Sequence, residues 1–478
     1  MKRVAIIGGG IAGLAAGHRV KQLSAQSNLP LQITIFESAN RLGGIIDTTE
    51  RDGFLLERGP DSFLTEKPDA LRLVEELELT SRLQPTNANH RRSFIVRNGR
   101  LIPIPADFHL IAPARFWPFI NSEIVSWPAK ARMALDLVLP AKKTNGRDDE
   151  SLAAFIRRRL GKEALERVAQ PMVGGIYTAN PETLSLQATM PRFLEMEREA
   201  GSVIRGLRKR LTKNASSEKT KGARYGLFVS FDSGMRVFSD AVAASLGDAE
   251  ILLGKEITSV DFDRVAGQWR IAAKNEGLMF DAVCLALPAY VSATLLSKTD
   301  ATLSRLLNGI NYESSATINL AYRREDISHP LDGFGFVVPF IEKRSLIACS
   351  FSSVKFANRA PADHVLLRAF VGGALQLENF QLEDQEMVKA VQSDLRELLG
   401  IRSQPLFSEI SRWPKAMPQY ELGHLQRVAQ IHERVGSLPG LTLAGNAYAG
   451  VGLPDCVRSG EEAAKAILDF VEGAPVAS

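Results

Sequence analysis

Gly8-Gly9-Gly10-Ile11-Ala12-Gly13 follows the apolar run Val4-Ala5-Ile6-Ile7 and leads into Leu14-Ala15-Ala16, which continues as a helix. A second apolar run, Ile33-Thr34-Ile35-Phe36, ends in Glu37. Strand, glycine turn, helix, strand and acid in this order predict a dinucleotide-binding βαβ unit. Gly8 serves the tight turn, Gly10 lets backbone approach a pyrophosphate, and Gly13 lets helix and strand pack closely. With Gly9, Ile11 and Ala12 they offer backbone N–H groups and the positive end of a helix dipole to phosphate. Glu37 can accept hydrogen bonds from ribose hydroxyls, and Ser38 can add a backbone or hydroxyl contact. A glycine turn alone is weak evidence; here the neighbouring elements are all in register.

Arg41-Leu42-Gly43-Gly44 comes next. Arg-x-Gly-Gly after the acid resembles the FAD-binding signature of the amine oxidase and phytoene desaturase superfamily. The resemblance implies FAD rather than NAD, with Gly43, Gly44 and Ile45 beside the flavin.

These segments need a fold to bring them together, and 478 residues suffice for two or three domains. The dinucleotide fold reads as three separate pieces. The first is the N-terminal unit. The second holds strands at 251–260, 268–273 and 280–287, the last returning to the main sheet. The third is a strand at 441–444, a glycine-rich loop at 445–452 and an amphipathic helix at 459–470. The predicted class is α/β plus α+β: a Rossmann-like FAD-binding domain (1–88, 225–300, 436–478), a mixed-sheet substrate domain (89–105, 301–435) and a helical module (106–224). Within the substrate domain, strands are expected at 316–322, 335–339, 346–350 and 366–371, and a helix at 385–399. In the module, Ser151 is expected to cap a helix that runs to Leu160 and stops at Gly161. Thr212–Gly222, polar and rich in Lys and Ser, is expected to be a surface loop.

Composition narrows the partners. Lys and Arg number 58 against 54 Asp and Glu, a balance that argues against nucleic acid. Cys284, Cys349 and Cys456 are far apart and form no CxxC, which suits a reducing compartment, and the seven His show no metal-ligand spacing. No apolar stretch approaches the roughly 20 residues of a membrane-spanning helix. The expected location is the cytoplasm, with or without attachment to one membrane face.

Along most of its length the chain resembles the oxygen-dependent porphyrinogen oxidases of haem synthesis. The segments that carry this, besides Gly8–Gly44, are Glu57-Arg58-Gly59-Pro60-Asp61-Ser62-Phe63, Pro171-Met172-Val173-Gly174-Gly175-Ile176-Tyr177 and Pro191-Arg192-Phe193-Leu194-Glu195. Trp413-Pro414-Lys415-Ala416-Met417-Pro418-Gln419-Tyr420 with Gly423-His424, and Gly445-Asn446 to Gly460, complete the set. The resemblance implies oxidation of a porphyrinogen, coproporphyrinogen III or protoporphyrinogen IX, by non-covalent FAD. Six electrons leave in three rounds, each reoxidised by O₂ with release of H₂O₂. It also implies that Gly59, Pro60, Asp61 and Ser62 line the isoalloxazine, that backbone at Ile257 meets the adenine, and that Val451, Gly452 and Leu453 face the flavin or its phosphates.

For substrate, the resemblance points to Gly175, where the ring would approach main chain; a helix-ending glycine is the other reading. Propionates need a cation. The family's basic position aligns with Ser93, and a one-residue shift selects Arg92, which is otherwise a solvated surface arginine. No general base and no metal ligand stand out. Trp413, Tyr420 and His424 read as packing or capping groups, and Cys456 as a buried thiol. Trp117 and Trp127 with Lys130, Arg132, Lys142 and Lys143 suit either a peripheral membrane contact or interdomain packing. A monomer and a homodimer are both open, as are another amine or polyene oxidase and a non-catalytic binding protein on this scaffold.

Overall fold

The computed structural model describes residues 1–105, 108–113, 116–142, 149–217, 227–273 and 276–473. Five parallel strands form the central sheet, in the order Glu250–Leu252, Leu31–Phe36, Lys2–Ile7, Ala282–Leu285, Leu441–Leu443. Val4 to Ile6, Ile35 and Ala282 to Leu285 are fully buried, as a sheet covered on both faces requires. One face carries the helices Ile11–Gln26, Arg236–Ser245 and Leu453–Val471. The other carries an antiparallel sheet of Ile257–Asp263, Gln268–Ala273 and Glu276–Phe280 with three helices.

Residues 251–260 are thus two strands rather than the one expected. Glu250–Leu252 closes the central sheet, and Ile257–Asp263 belongs to the antiparallel layer. Gly254, at φ +65°, turns the chain between them. The predicted strand at 280–287 divides likewise, with Glu276–Phe280 completing the hairpin and Ala282–Leu285 entering the central sheet.

A second sheet has seven strands: Phe407–Pro418, Tyr312–Arg323, His364–Gly372, Ala348–Ser350, Gly335–Val337, Phe94–Arg97 and Arg100–Pro103. Only Gly335–Val337 and Phe94–Arg97 pair in parallel, so the sheet is mixed. The helix Asp384–Leu399 packs on it. Phe407–Pro418 was not expected as a strand. It lies at the sheet edge, where Pro414 and Pro418 are tolerated.

The helical module is organised by short helices from Phe116 to Ser217. Ser151 Oγ accepts the Ala154 N–H at 3.1 Å and caps Leu152–Arg159, and Gly161 ends that turn at φ +96°. The predicted loop at 212–222 is partly helix: Val203–Ser217 continues through its first half, and 218–222 lie outside the described residues. Polar Lys, Asn and Ser do not break a helix in the absence of Gly or Pro. Among the described residues no helix is long and apolar enough to cross a membrane.

Candidate functional site

The glycine turn behaves as its spacing suggests. Gly8 has φ +110°, donates to Phe36 O at 2.8 Å, and has Ala286 O 2.3 Å from where a Cβ would sit. A Cβ on Gly13 would lie 1.9 Å from Gly8 O. Both positions exclude any side chain for reasons internal to the fold. Gly10 is different. Its Cβ would meet nothing closer than Gly44 Cα, at 3.9 Å. Space is left open directly over the start of the helix Ile11–Gln26, where the first N–H groups have no intrahelical acceptor. That is a cradle a side chain would fill, and it fits a pyrophosphate.

Glu37 is fixed at the end of its strand. Its Oε2 accepts the Gly9 N–H at 2.7 Å, and its Oε1 accepts the Ala39 N–H at 2.8 Å. The Ser38 hydroxyl donates to the same Oε1 at 3.3 Å, so Ser38 serves the acid as well as facing solvent. Carboxylate oxygens accept more than one bond, which leaves Glu37 able to hold a ribose. Leu252 to Lys255 pairs with Glu37 and Ala39, placing Ile257 two residues beyond. The Ile257 side chain itself is in the core.

Gly43 and Gly44, at φ +98° and +59°, fold back onto the turn. Gly43 donates to Gly9 O at 2.9 Å, and a Cβ on Gly44 would come 3.1 Å from Gly10 Cα. Arg41 holds this loop through Leu42 O, Ile46 O and Gly44 O at 3.1, 3.0 and 2.6 Å. Ile45 presents an exposed apolar side chain. Its carbonyl meets Gly59 so closely that a Cβ there would be 1.6 Å from the oxygen.

Gly59 opens the Gly59–Ser62 wall, which the seven-stranded sheet grips from behind. Asn319 donates to Glu57 O at 3.1 Å. Thr317 and Trp413 donate to Arg58 O at 2.9 and 3.0 Å, and Arg368 donates to Gly59 O. Lys355 binds both oxygens of Asp61 at 3.1 and 2.9 Å and also Ser62 Oγ at 3.2 Å. Burial alone would raise the Asp61 carboxyl, but Lys355 and Arg368 hold it well below the usual carboxylate range. Pro60 stands half-buried between these anchors.

The third piece is the loop before Leu453–Val471. Tyr420 donates its hydroxyl to Asn446 O at 2.6 Å and accepts the Gly450 N–H at 2.8 Å, bracing that loop. Its ring stacks on buried His424, with centroids 4.0 Å apart. Both side chains therefore shape the site from beneath. Asp455 is buried, accepts the Gly452 N–H at 3.2 Å, and pairs with Lys67 at 2.6 Å and Arg458 at 2.9 Å. Val451 and Gly452 are half-exposed at the helix start, and Leu453 is buried. Where this helix crosses the first one, a Cβ on Gly460 would lie 2.2 Å from Ala12 O.

The structure therefore brings together the predicted residues of all three pieces. Arg41, Lys67, Asp455, Thr317, Asn319 and Arg368 join them without having been selected. Arg41, in Arg-x-Gly-Gly, and Asp455, in the Gly445–Gly460 segment, lay within sequence motifs; the others act through contacts between distant segments.

The two substrate candidates are less closely linked. Gly175 lies inside the helix Gln170–Tyr177 rather than ending it, on an exposed face, where a Cβ would find Val337 Cγ1 at 3.8 Å. Val337 pairs with Ile95. Arg92 precedes that strand, and its guanidinium pairs with Asp332 at 3.1 Å with the side chain 56% exposed. No contact joins Arg92 to Gly175 among the described residues. Cys456 is buried, and burial pushes its thiol up to about 12.

The family model of flavin containing amine oxidoreductases matches residues 11–468. A coproporphyrinogen III oxidase of Bacillus subtilis (strain 168) is 33% identical over 473 residues, covering 98% of each chain. Protoporphyrinogen oxidase 2 of Arabidopsis thaliana is 28% identical over 98% of this chain and 94% of its own. A solved structure from Exiguobacterium sp. 255-15 aligns with a TM-score of 0.86 at 32% identity, over 98% of both chains.

Proposed function

The chain belongs to the family of flavin-containing amine oxidoreductases, and within it we propose the following division of labour for an FAD-dependent porphyrinogen oxidase of haem synthesis. The observation that carries it is the cradle over Gly10, faced by Gly44 and continuous with the Ile45–Gly59 contact, in a chain alignable end to end with porphyrinogen oxidases. Gly8 to Gly13 hold the pyrophosphate, and Glu37 with Ser38 holds the adenosine ribose. Gly43 to Ile45, Gly59 to Ser62 and Val451 to Leu453 enclose the isoalloxazine. The adenine lies by the backbone at Ile257.

Bound FAD supplies the hydride acceptor for this chemistry. The protein's task is to present a meso carbon of the macrocycle at the right distance and to keep the ring from shifting between rounds. The exposed face of Gly175 over Val337 gives a flat apolar ring close access to main chain. Arg92 is recruited by a propionate in exchange for Asp332. No side chain at the wall is required as a base, because pyrrole N–H protons can leave to water after hydride loss. The cofactor is held without a covalent bond: Cys456 is kept as an unreactive thiol, since only a thiolate is a nucleophile.

O₂ is the terminal oxidant and H₂O₂ the product. We read the surface at exposed Trp127 and Lys142 as a peripheral membrane contact, without two of the expected basic residues: Lys130 is buried with its amine donating to Ile120 O at 2.6 Å, and Arg132 is held by the carbonyls of Arg157, Arg158 and Arg159, while the Trp117 side chain lies outside the described residues. Lys143 lies outside the described residues. Oxygen-electrode and peroxide assays test the oxidant, with coproporphyrinogen III and protoporphyrinogen IX compared by the fluorescence of the porphyrin formed. One O₂ consumed and one H₂O₂ released per hydride removed is the expected result. Turnover without oxygen uptake would remove O₂ from the scheme.

A further inference from the structure

Behind the Gly59–Ser62 wall lies a buried charge cluster that the proposed reaction does not use. Glu57, Arg359 and Arg368 are 4, 2 and 4% exposed, and Asp61 and Lys355 lie beside them. Lys355 and Asp61 neutralise each other at 2.9 Å. Glu57 is bound by the Thr48 hydroxyl at 2.7 Å and the Met235 N–H at 2.8 Å. Arg359 donates to Ser230 Oγ, Phe231 O and Asp232 O at 3.0, 2.8 and 3.2 Å. Arg368 donates to Gly59 O, and its buried Nε has no hydrogen-bond partner among the described residues. Neither arginine has a carboxylate within ion-pair distance among those residues. The cluster therefore sets Lys355, Arg359 and Arg368 against Asp61 and Glu57, with Asp232 a further carboxylate acting on Arg359.

A neutral donor would suffice to hold Gly59 O. Burying a guanidinium with one acceptor and no direct ion pair, its carboxylates Asp61 and Glu57 acting only at longer range, is costly, so its charge needs a use. Positive charge beside a group that gains electrons stabilises its reduced form, and more strongly in a dry site than in water.

We propose that Arg368 is an electrostatic positioning residue: it fixes the Gly59 carbonyl and supplies positive charge, unpaired by any direct ion pair, that raises the reduction potential of a flavin bound against Gly59–Ser62. Asp61, on the same wall, opposes it. The inference rests on the assignment of that wall to the flavin.

The test is dye-equilibrated potentiometry of the full-length FAD-loaded protein, its Arg368→Met and Arg368→Lys variants, and Asp61→Asn. Arg368→Met should lower the equilibrium constant for two-electron reduction about tenfold, ~30 mV more negative. Arg368→Lys, which keeps the charge, should stay near the parent. Asp61→Asn should move in the opposite direction, and it keeps the question answerable if Arg368→Met does not fold. FAD stoichiometry and the visible spectrum are recorded alongside. Opposite shifts at normal FAD content would support the proposal. Parent-like potentials in both Arg368→Met and Asp61→Asn at full occupancy would overturn it, and so would a Lys variant as shifted as the Met variant. A parent protein that binds no FAD would refute the wall assignment itself, and the inference with it.

Discussion

Glu37 Oε2 lies 2.7 Å from the backbone nitrogen of Gly9. The acid closing the second strand is thereby tied to the turn that opens the first helix. The acid, the turn and the Gly43–Gly44 loop hold one another, so the proposed dinucleotide cradle is built from mutually bonded segments. Binding then costs little reordering.

The cradle makes a prediction that separates two kinds of glycine. Gly10→Val should fold, because its side chain enters open space, yet purify without FAD. Gly59→Val should fail to fold normally, because its Cβ would collide with Ile45 O at 1.6 Å. Near-UV circular dichroism and the ratio of flavin to protein absorbance check both. Gly10→Val with full flavin occupancy would remove the pyrophosphate from this position.

Tyr420→Phe deletes the hydroxyl that joins Asn446 O to Gly450 N. Two neutral hydrogen bonds, with the partly buried Gly450 N–H left unpaired, cost about 1–3 kcal/mol. A lower urea midpoint and weaker FAD retention during dilution are expected together if the loop belongs, as proposed, to the flavin site. Loss of stability with unchanged FAD affinity would confine Tyr420 to packing.

Glu57 gives a pH signature. Burial pushes its carboxyl from 4.5 up to about 7, against the hydrogen bonds from Thr48 and Met235. A carboxyl raised on folding contributes stability below pH 4.5 that is lost as pH rises to about 7. The loss is about 3 kcal/mol in total. His18, His329, His424 and His432, all lowered by burial, act in the opposite sense below their ordinary 6.5. The diagnostic quantity is therefore the difference between the parent and Glu57→Gln in urea unfolding from pH 5 to 8. The parent should lose stability relative to the variant across that range. A constant difference would show that Glu57 ionises normally.

Arg92→Ala should raise KM for porphyrinogen about ten- to hundredfold, the value of a charge-assisted pair of roughly 1.5–3 kcal/mol. FAD content should not change, because Arg92 touches no cofactor-holding residue. Its exposed pair with Asp332 should contribute under about 1 kcal/mol to stability. Steady-state kinetics of Arg92→Ala beside Arg91→Ala check this, and equal, parent-like KM values would place the propionate cation elsewhere.

Much of the candidate site's geometry was legible in the sequence because it is local. Gly8 to Gly13, Glu37 and Gly43–Gly44 sit within one βαβ unit, where spacing alone sets geometry. What escaped acts over long chain separations: Arg368 reaches Gly59 across 309 residues, and Lys67 reaches Asp455 across 388. No periodicity reports such a pair. Phe407–Pro418 escaped for another reason. Its prolines argue against a strand, and only its place at a sheet edge, where one side needs no partner, permits them. The break at Gly254 was missed because apolar residues on both sides read as one run.

The central claim, a flavin reduced by a porphyrinogen, is tested most directly by anaerobic stopped-flow mixing. The FAD-loaded protein is mixed with coproporphyrinogen III, protoporphyrinogen IX, benzylamine or NADPH, and the flavin absorbance is followed. Bleaching by at least one porphyrinogen, with none by benzylamine or NADPH, is the predicted result. Bleaching by the amine alone, or a flavin that stays oxidised with both porphyrinogens, would contradict it.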